Sequence, residues 1–391
     1  MDPNQRIKDL LEKTLSRYSS LINLFHEKPL LIFWEVTKAC PLTCIHCRAE
    51  SILEPLPGEL STEEGYRLID DVLGFGKPYP ILVFTGGDPL MRRDLYDLLR
   101  YAKSRDLRIG VALTVSERLD NEKLYTLRRI GVDAVSISLD GAFPETHDYI
   151  RRSRGNYYRT IEVIKKVIEL GFSYEVNTLI WKRSLIEIPE LARLLRSIGA
   201  NTLEAFFYVP VGRGLSYFPE LELSPEEYEV AINILLDLFL YGFTVRFVEA
   251  PFYRRVLIER LAGSEYRHPL YLKLRERLRE LLGEPLEKDL SKYSFTPTRD
   301  GQGIIFVAYN GDIYPSGYLP YKLGNVKEDN IVDVYRNHPI LKAIRDSEFR
   351  GKCGECIFKR ICGGSRSRAY AYYKDPLGED PACIITHRKV L

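Results

Sequence analysis

Three closely spaced cysteines near the amino terminus are the first residues that suggest chemistry. Cys40, Cys44 and Cys47 lie in the stretch ACPLTCIHC (39–47), with the spacing Cys-x3-Cys-x2-Cys and no fourth cysteine nearby. Three thiolates on a [4Fe–4S] cluster leave one iron without a protein ligand, and that iron can chelate the amine and carboxylate of a small molecule. S-adenosylmethionine (SAM) carries such a pair beside its sulfonium, which one electron would cleave to a 5′-deoxyadenosyl radical.

A zinc site is the alternative for the same loop. His46 would have to be the fourth ligand, and it stands directly beside Cys47, where two adjacent side chains seldom converge on one ion. Structural zinc sites commonly use pairs of cysteines two to four residues apart, so the spacing alone leaves zinc open.

The other four of the seven cysteines form a second group near the carboxyl terminus: Cys353, Cys356, Cys362 and Cys383. An odd total without a secretion signal argues against a disulfide framework, and clustered thiols in a reducing compartment favour metal or iron–sulfur ligation. Four thiolates would leave no iron of a cluster open, which suits electron transfer or a structural role. Zinc bound by the same four cysteines is again the alternative.

Charge and hydropathy exclude several classes of protein. The 391 residues include 56 Lys and Arg against 54 Asp and Glu, so nothing points to nucleic acid or an anionic membrane as the main partner. The charged amphipathic amino terminus is unlike a signal peptide. The longest apolar stretch, residues 231–243, is too short for a membrane span and contains Asn233 and Asp237. We expect a cytoplasmic protein.

Strand-like and helix-like segments alternate along the first half of the chain. Apolar runs typical of strands cover residues 30–35, 81–84, 108–113, 134–140, 174–180 and 202–208. Amphipathic segments lie between them, and the first begins at a Ser61/Glu64 capping box. Six strands that alternate with helices predict an α/β fold with a parallel sheet, open or curled into a partial barrel.

The chain divides into four predicted regions. An N-terminal helical segment covers residues 1–28, and the parallel sheet covers 29–223. A helical connecting region covers 224–297, beginning at the helix start SPEE, and a strand pair opens the last region, 298–391, which contains the second cysteine group.

Polar residues gather where the predicted strands end, which is where chemistry collects in such folds. The cysteine triplet follows the first strand, and TGGDP (85–89), with Gly86, Gly87 and Asp88, follows the second. Two glycines let the backbone approach a ligand closely, and a carbonyl or Asp88 could receive an ammonium group. Ser138 and Asp140 end the fourth strand, Asn177 lies in the fifth, and VPVGRG (209–214) follows the sixth.

Together these motifs resemble those of the radical SAM enzymes. KACPLTCIHC is similar to their cluster loop, and TGGDP to the motif that holds the methionyl amine, with Asp88 where glutamate is usual. A segment of these enzymes that contacts SAM through a serine and an arginine is similar to SISLDG and ETHDYIR, so the matching residues are Ser138 and Arg151. A fifth-strand motif is similar to VNTLI, in which Asn177 would be a further polar contact to SAM. The resemblance implies a partial (β/α)6 barrel of parallel strands, a SAM-binding [4Fe–4S] cluster and a reductant such as ferredoxin or flavodoxin.

The second cysteine group resembles the SPASM or twitch-type auxiliary-cluster domain appended to many of these enzymes. The full domain holds two clusters, but Ser316, Ser365 and Arg366 stand where relatives have cysteines of the first. The resemblance therefore implies one auxiliary [4Fe–4S] cluster, held by Cys353, Cys356, Cys362 and Cys383 in a small C-terminal domain.

One branch of the family is more similar than the rest. The chain resembles radical SAM enzymes of alternative heme biosynthesis, the Fe-coproporphyrin decarboxylase and heme d1 group, in VPVGRG, in the segment around the second cysteine group and in EDPAC. It differs from that group at Phe252, which replaces a histidine. This implies a tetrapyrrole-like substrate whose propionates would meet arginines, with Arg213 and Arg254 as first choices and Arg255, Arg366 and Arg368 as others. Tyr318, Glu249 and His387 are acid–base candidates only because they lie near the motifs.

Two other functions remain open. A peptide-modifying maturase is the main alternative, because auxiliary-cluster domains are common among such enzymes; only about 28 residues precede the first strand, so no separate leader-binding domain is evident. A non-catalytic metal-binding or electron-transfer protein is the third hypothesis.

Overall fold

The computed structural model describes residues 2–286 and 289–387, and one sheet runs through them. Its strand order is β10-β9-β8-β1-β2-β3-β4-β5-β6-β7. The strands are β1 Leu31–Glu35, β2 Ile81–Thr85, β3 Ile109–Leu113, β4 Ala134–Ser138, β5 Ser173–Ile180, β6 Thr202–Phe207, β7 Thr244–Val248, β8 Ile304–Val307, β9 Asp312–Tyr314 and β10 Gly324–Asn325.

The six predicted strands are β1 to β6, all parallel, and the α/β fold class is confirmed. The sheet is wider than predicted, because a parallel strand is added at each side. β7 pairs with β6, and it lies inside the 224–297 region that was expected to be helical. β8 pairs with β1, and β9 and β10 continue the sheet in antiparallel fashion.

Helices connect the strands and surround the sheet. They are α1 Pro3–Glu27, α2 Thr62–Leu73, α3 Leu95–Ser104, α4 Asn121–Ile130, α5 Pro144–Arg151, α6 Asn156–Glu169, α7 Lys182–Ile186, α8 Ile188–Ser197, α9 Phe218–Leu221, α10 Pro225–Leu240, α11 Tyr253–Leu261, α12 Pro269–Leu282, α13 Ile331–Asn337, α14 Pro339–Arg345, α15 Gly351–Glu355, α16 Arg366–Tyr373 and α17 Ile384–His387. The predicted capping box starts α2, where Ser61 and Glu64 exchange hydrogen bonds with each other's backbone N–H. Ser224 and Glu227 start α10 in the same way.

The two faces of the parallel sheet differ in burial. Alternate residues such as Ile32, Trp34 and Phe84 are fully buried on the face that the helices cover. Burial of such a side chain stabilises the fold by roughly 1.5–3 kcal/mol. The residues between them lie on the opposite face, which we call the open face: those on β1, β4, β5, β6 and β7 include Glu35, Ser138, Glu175, Asn177, Glu204, Phe206 and Arg246.

The carboxyl-terminal region is continuous with the sheet because β8 pairs directly with β1. The expected strand pair is present as β8 and β9, and α13 to α17 follow it. The boundaries at 223 and 298 stay predictions. Across residues 2–286 and 289–387, no helix has the length and apolar composition that crossing a membrane requires.

Candidate functional site

The loop between β1 and α2 brings the first three cysteines together. Cys40 and Cys44 are buried, Cys47 is partly exposed, and all three pack with Leu42. Burial raises the pKa of Cys40 to about 12 and also raises that of Cys44. Such thiols are poor nucleophiles, and metal binding is what would remove their protons. Their environment fits a metal centre better than covalent catalysis.

The arrangement does not suit a single metal ion. In the part of the chain that the structure describes, no three His, Cys, Asp or Glu side chains converge closely enough to hold one ion. His46 is half-buried, its Nδ1 atom is enclosed without a hydrogen-bond partner, and loss of solvation lowers its pKa to about 4. A [4Fe–4S] cluster needs wider spacing, because each thiolate binds a different iron, whereas zinc draws its ligands to about 2.3 Å from one point. The donor set therefore fits a cluster.

The Gly-Gly-Asp turn after β2 lies directly against this loop. Gly87 N donates to Thr37 O at 2.8 Å and Asp88 N donates to Ala39 O at 2.7 Å, just before Cys40. A Cβ atom on Gly86 would lie 2.5 Å from Thr37 O, and one on Gly87 would lie 2.4 Å from Ala39 O. The two glycines therefore let the turn after β2 pack directly against the backbone of the cysteine loop.

Asp88 is fully buried, and both of its carboxylate oxygens have partners. Leu90 N donates to one at 3.1 Å, and Ser116 Oγ donates to the other at 3.1 Å. Burial raises the pKa of Asp88 to about 6. In this position the side chain fixes the turn, and its contact with the methionyl amine stays a prediction.

Arg151, at the end of α5, connects the cysteine loop to the end of β4. Its guanidinium lies 2.6 Å from the Asp140 carboxylate and donates to Cys44 Sγ at 3.8 Å. Burial alone would raise the pKa of Asp140, but the Arg151 charge, with smaller effects of His46 and His147, lowers it. The ion pair is almost completely buried, and the Arg151 Nε atom has no hydrogen-bond partner.

His147 and Asn156 belong to the same region, although the sequence analysis did not select them. His147 Nδ1 accepts a hydrogen bond from Asp140 N at 3.0 Å, so its Nε2 carries the proton that it donates to Asn156 Oδ1 at 2.8 Å. Asn156 in turn donates to Val115 O at 2.7 Å. The position of His147 inside the motif ETHDYIR is the sequence feature that could have identified it as part of the site.

Ser138 and Asn177 lie opposite each other on β4 and β5. Ser138 and Arg151 line a small cavity whose other walls are Leu42, Leu113, Val115 and Asn156. Asn177 Oδ1 is buried and has no hydrogen-bond partner among the described residues. Asn177 is the strand neighbour of Ser138, which lines the cavity, and a polar ligand bound there would supply a partner for the unpaired amide oxygen. The SAM contacts of both residues stay predictions.

The arginines that we expected to bind propionates have other partners. Arg213 donates to Cys44 O at 3.0 Å and Ser51 O at 2.6 Å, so it holds the cysteine loop. Arg255 pairs with Glu229 and Glu259, and Arg368 pairs with Asp380. Arg254 and Arg366 are buried and donate mainly to backbone carbonyls. Propionate binding by these arginines stays a prediction, and in the structure their guanidinium groups have partners within the protein, several of them backbone carbonyls far away in the sequence.

The second cysteine group surrounds a small cavity of about 20 Å³. All four cysteines line it, with Phe252 and Arg255 among the other walls. Burial raises the pKa of each thiol, that of Cys383 to about 12. Phe252 is buried here, packed edge-on against Tyr228 with 5.9 Å between ring centroids, so this position faces the cysteine cavity. We call this cavity the four-cysteine site.

A hydrogen-bond network connects Ser316 and Ser365, which we expected to stand in place of cysteines of a first auxiliary cluster. Ser316 Oγ lies 3.1 Å from Ser367 Oγ, and the hydroxyls of Ser365 and Ser367 both donate to Glu249. Burial and the nearby Asp300 carboxylate raise the pKa of Glu249 well above its usual range. Two serine hydroxyls thus hold the Glu249 carboxyl group in place.

The open face carries acidic and basic groups close to these sites. Glu35 pairs with Arg48 at 2.9 Å, Arg246 pairs with Glu175, and burial raises the pKa of Glu204 to about 7. Tyr318 lies against Phe206 with 6.4 Å between ring centroids, and burial raises its pKa. Glu249 and Tyr318 are thus both near the open face, while the His387 side chain lies outside the part that the structure describes.

The comparisons with known proteins agree with this geometry. Residues 34–195 match the model of the radical SAM superfamily. The chain is 34% identical to the AdoMet-dependent heme synthase of Methanosarcina barkeri, over 91% of this chain and 96% of that protein. It is 30% identical to the Fe-coproporphyrin III synthase of the same organism, over 95% of this chain and 92% of that one. The solved structure described as native anSMEcpe with bound AdoMet is similar in fold, with a TM-score of 0.64 and 16% identity over 92% of this chain and 95% of that one. The chain belongs to the radical SAM superfamily, whose members bind a [4Fe–4S] cluster and SAM.

Proposed function

We propose that this radical SAM enzyme oxidatively decarboxylates the propionates of a tetrapyrrole in heme-type cofactor biosynthesis. The observation that carries the proposal is similarity over more than nine-tenths of the chain to two proteins named for heme and Fe-coproporphyrin synthesis.

Cys40, Cys44 and Cys47 would hold the SAM-binding cluster. When bound, it supplies the electron that cleaves SAM to methionine and a 5′-deoxyadenosyl radical. The protein's own part is to orient SAM: Gly87 and Asp88 hold the turn against the cysteine loop, and Asn177 offers a buried oxygen without a partner. Arg151 fixes the loop from the other side through Asp140.

The substrate step balances as a two-stage oxidation. Removal of a hydrogen atom from the propionate carbon next to the ring gives 5′-deoxyadenosine and a carbon radical. Loss of carbon dioxide and one electron from that radical then leaves a vinyl group. Cys353, Cys356, Cys362 and Cys383 would hold an iron–sulfur cluster that would supply the one-electron acceptor, since four thiolates leave no iron open to substrate. A donor such as ferredoxin or flavodoxin would supply the electron for SAM cleavage.

Propionates need fixed cations, and the open face offers two. Arg246 on β7 has 56% of its side chain exposed, and Arg48 has 16%. Both already pair with glutamates, so a carboxylate ligand would compete with Glu175 or Glu35 for the guanidinium. Arg48 also lies over the Phe306 ring, 4.6 Å from its centroid, where a flat macrocycle could stack.

Turnover with defined substrates tests the proposal. Reconstituted protein, SAM and dithionite are incubated without oxygen with Fe-coproporphyrin III, and the products are identified by mass spectrometry. We expect 5′-deoxyadenosine and a porphyrin that has lost carbon dioxide and two hydrogens for each propionate converted. Protein with Cys40, Cys44 and Cys47 changed to Ala is the negative control. No reaction with tetrapyrroles, together with modification of a peptide encoded by a neighbouring gene, would favour a peptide-modifying maturase instead.

A further inference from the structure

Three buried arginines beside the four-cysteine site have no carboxylate partner. Arg254, Arg299 and Arg366 are at most 6% exposed. Arg254 donates to Ile361 O at 2.9 Å, Thr296 O at 3.1 Å and Thr298 O at 2.7 Å. Among the described residues, no Asp or Glu oxygen lies within 4.0 Å of any of the three guanidinium groups.

Each of the three also reaches the segment that carries the cysteines. Arg299 donates to Lys359 O at 3.0 Å and Cys362 O at 3.4 Å. Arg366 donates to Gly364 O and Gly378 O, and its Nη2 lies 3.7 Å from Cys353 Sγ. Arg366 and Arg299 face the same Phe349 ring, at 4.4 Å and 5.1 Å from its centroid.

Two other buried arginines near the four-cysteine site are neutralised. Arg255 pairs with two glutamates and Arg368 with Asp380, and both of these pairs are near the four-cysteine site. At the three-cysteine loop, Arg151 pairs with Asp140 at 2.6 Å. Arg213 donates to a carbonyl of the same loop, but its side chain is partly exposed to solvent. Among the described residues, Lys28 and Arg345 are also buried without a carboxylate partner, but they donate to carbonyls outside the cysteine-bearing segment. Arg254, Arg299 and Arg366 therefore supply the unpaired positive charge at the four-cysteine site.

A buried cation without a counter-charge destabilises a fold, so this arrangement calls for an anion. Four thiolates with a [4Fe–4S] core are anionic, and reduction adds one more negative charge. Nearby cations and hydrogen bonds to sulfur stabilise the reduced form more than the oxidised form, which raises the reduction potential.

We propose that Arg254, Arg299 and Arg366 are the counter-charge of the four-cysteine site and raise the reduction potential of the cluster bound there. Arg366 contributes most, because it is the one that reaches a sulfur. The inference rests on the proposed function, in which this cluster accepts an electron, and it explains why electrons would move toward this site. The three arginines are positioning residues that touch neither SAM nor substrate.

The test measures potentials in full-length protein with Cys40, Cys44 and Cys47 changed to Ala, so that only the four-cysteine cluster is observed. Its potential is determined by redox titration followed by electron paramagnetic resonance. Arg366→Gln should shift it to a more negative value, and Arg366→Lys, which keeps the charge, should shift it less. Arg345→Gln is the matched control. Arg345 is also buried, and it donates to the carbonyls of Tyr335 and Arg336. Among the described residues, it has no hydrogen bond to a cysteine. In protein with all seven cysteines, the four-cysteine cluster should be reduced first.

The outcomes separate this inference from the function on which it rests. Equal potentials in Arg366→Gln, Arg345→Gln and the parent would overturn the inference and leave the auxiliary cluster in place. If Arg366→Gln no longer takes up iron, Arg299→Gln removes a cation without touching a sulfur, and an unchanged potential there overturns the inference equally. A parent that binds zinc and no iron would overturn both the second cluster and the inference.

Discussion

The pair of Arg151 and Asp140 shows how one buried interaction can hold two parts of a site. Arg151 ends α5 and reaches Cys44, while Asp140 follows β4 and accepts a hydrogen bond from Leu179 N at 2.9 Å. The sequence predicted that Arg151 belongs to the site, because it ends the motif ETHDYIR. It could not predict the partner, nor that Arg213 and Arg254 would bind carbonyls, because those contacts depend on which distant backbone segments fold against each guanidinium.

Asp140→Asn should lower the free energy of unfolding by about 3 kcal/mol, because it leaves Arg151 as a buried charge without a carboxylate. Arg151 lowers the pKa of Asp140 in the folded state, so the pair stabilises the fold above the unfolded value of about 4 and stops doing so as the pH falls through the folded value. Urea unfolding of the variant should therefore depend less on pH between about 7 and 3 than that of the parent. Asp97→Asn, in an exposed pair with Arg100, is the control, and an equal loss in both variants would contradict the prediction.

At the scale of elements, the sheet was predictable where each strand is a local apolar run between helices. β7 and β8 were not predicted as members of the parallel sheet. β7 has only five residues, and two of them, Thr244 and Arg246, are exposed, so its sequence lacks a continuous apolar run. β8 was expected as part of a strand pair, but its parallel pairing with β1 joins residues more than 270 positions apart, which no local pattern specifies.

The turn after β2 gives a prediction about how two loops fit together. Gly87→Ala would place a Cβ atom 2.4 Å from Ala39 O, so the turn must move away from the cysteine loop. We expect weaker SAM binding and less iron at the three-cysteine loop, measured by equilibrium binding and iron analysis. Gly110→Ala is the control, because its Cβ atom would have 3.5 Å to its nearest neighbour and no unusual backbone angle. Similar losses of SAM binding and iron in both variants would show that the contact between Gly87 and the cysteine loop is not the cause.

Across the whole molecule, the two cysteine groups lie on separate elements, one on the loop after β1 and the other around α15 and α17. We therefore expect them to bind iron independently. Reconstituted protein should contain about eight irons, and replacement of Cys40, Cys44 and Cys47 by Ala should leave about four. Replacement of Cys353, Cys356, Cys362 and Cys383 is the reciprocal control. Complete loss of iron in either variant would mean that the sites depend on each other.

Substrate binding is also a property of the whole molecule, because the open face collects side chains from strands far apart in the sequence. Arg246 is a strongly exposed guanidinium on β7, and its partner Glu175 comes from β5. A charge-assisted hydrogen bond to a propionate contributes about 1.5–3 kcal/mol, so Arg246→Gln should weaken Fe-coproporphyrin binding by roughly 10- to 100-fold. Absorbance titration measures the affinity, and cleavage of SAM without substrate should be unchanged. Arg267→Gln removes an exposed arginine that pairs with Glu265 away from the sheet, and it should bind the porphyrin as the parent does. Equal affinities of both variants for the porphyrin would show that Arg246 does not bind a propionate, and Arg48 would be the next candidate.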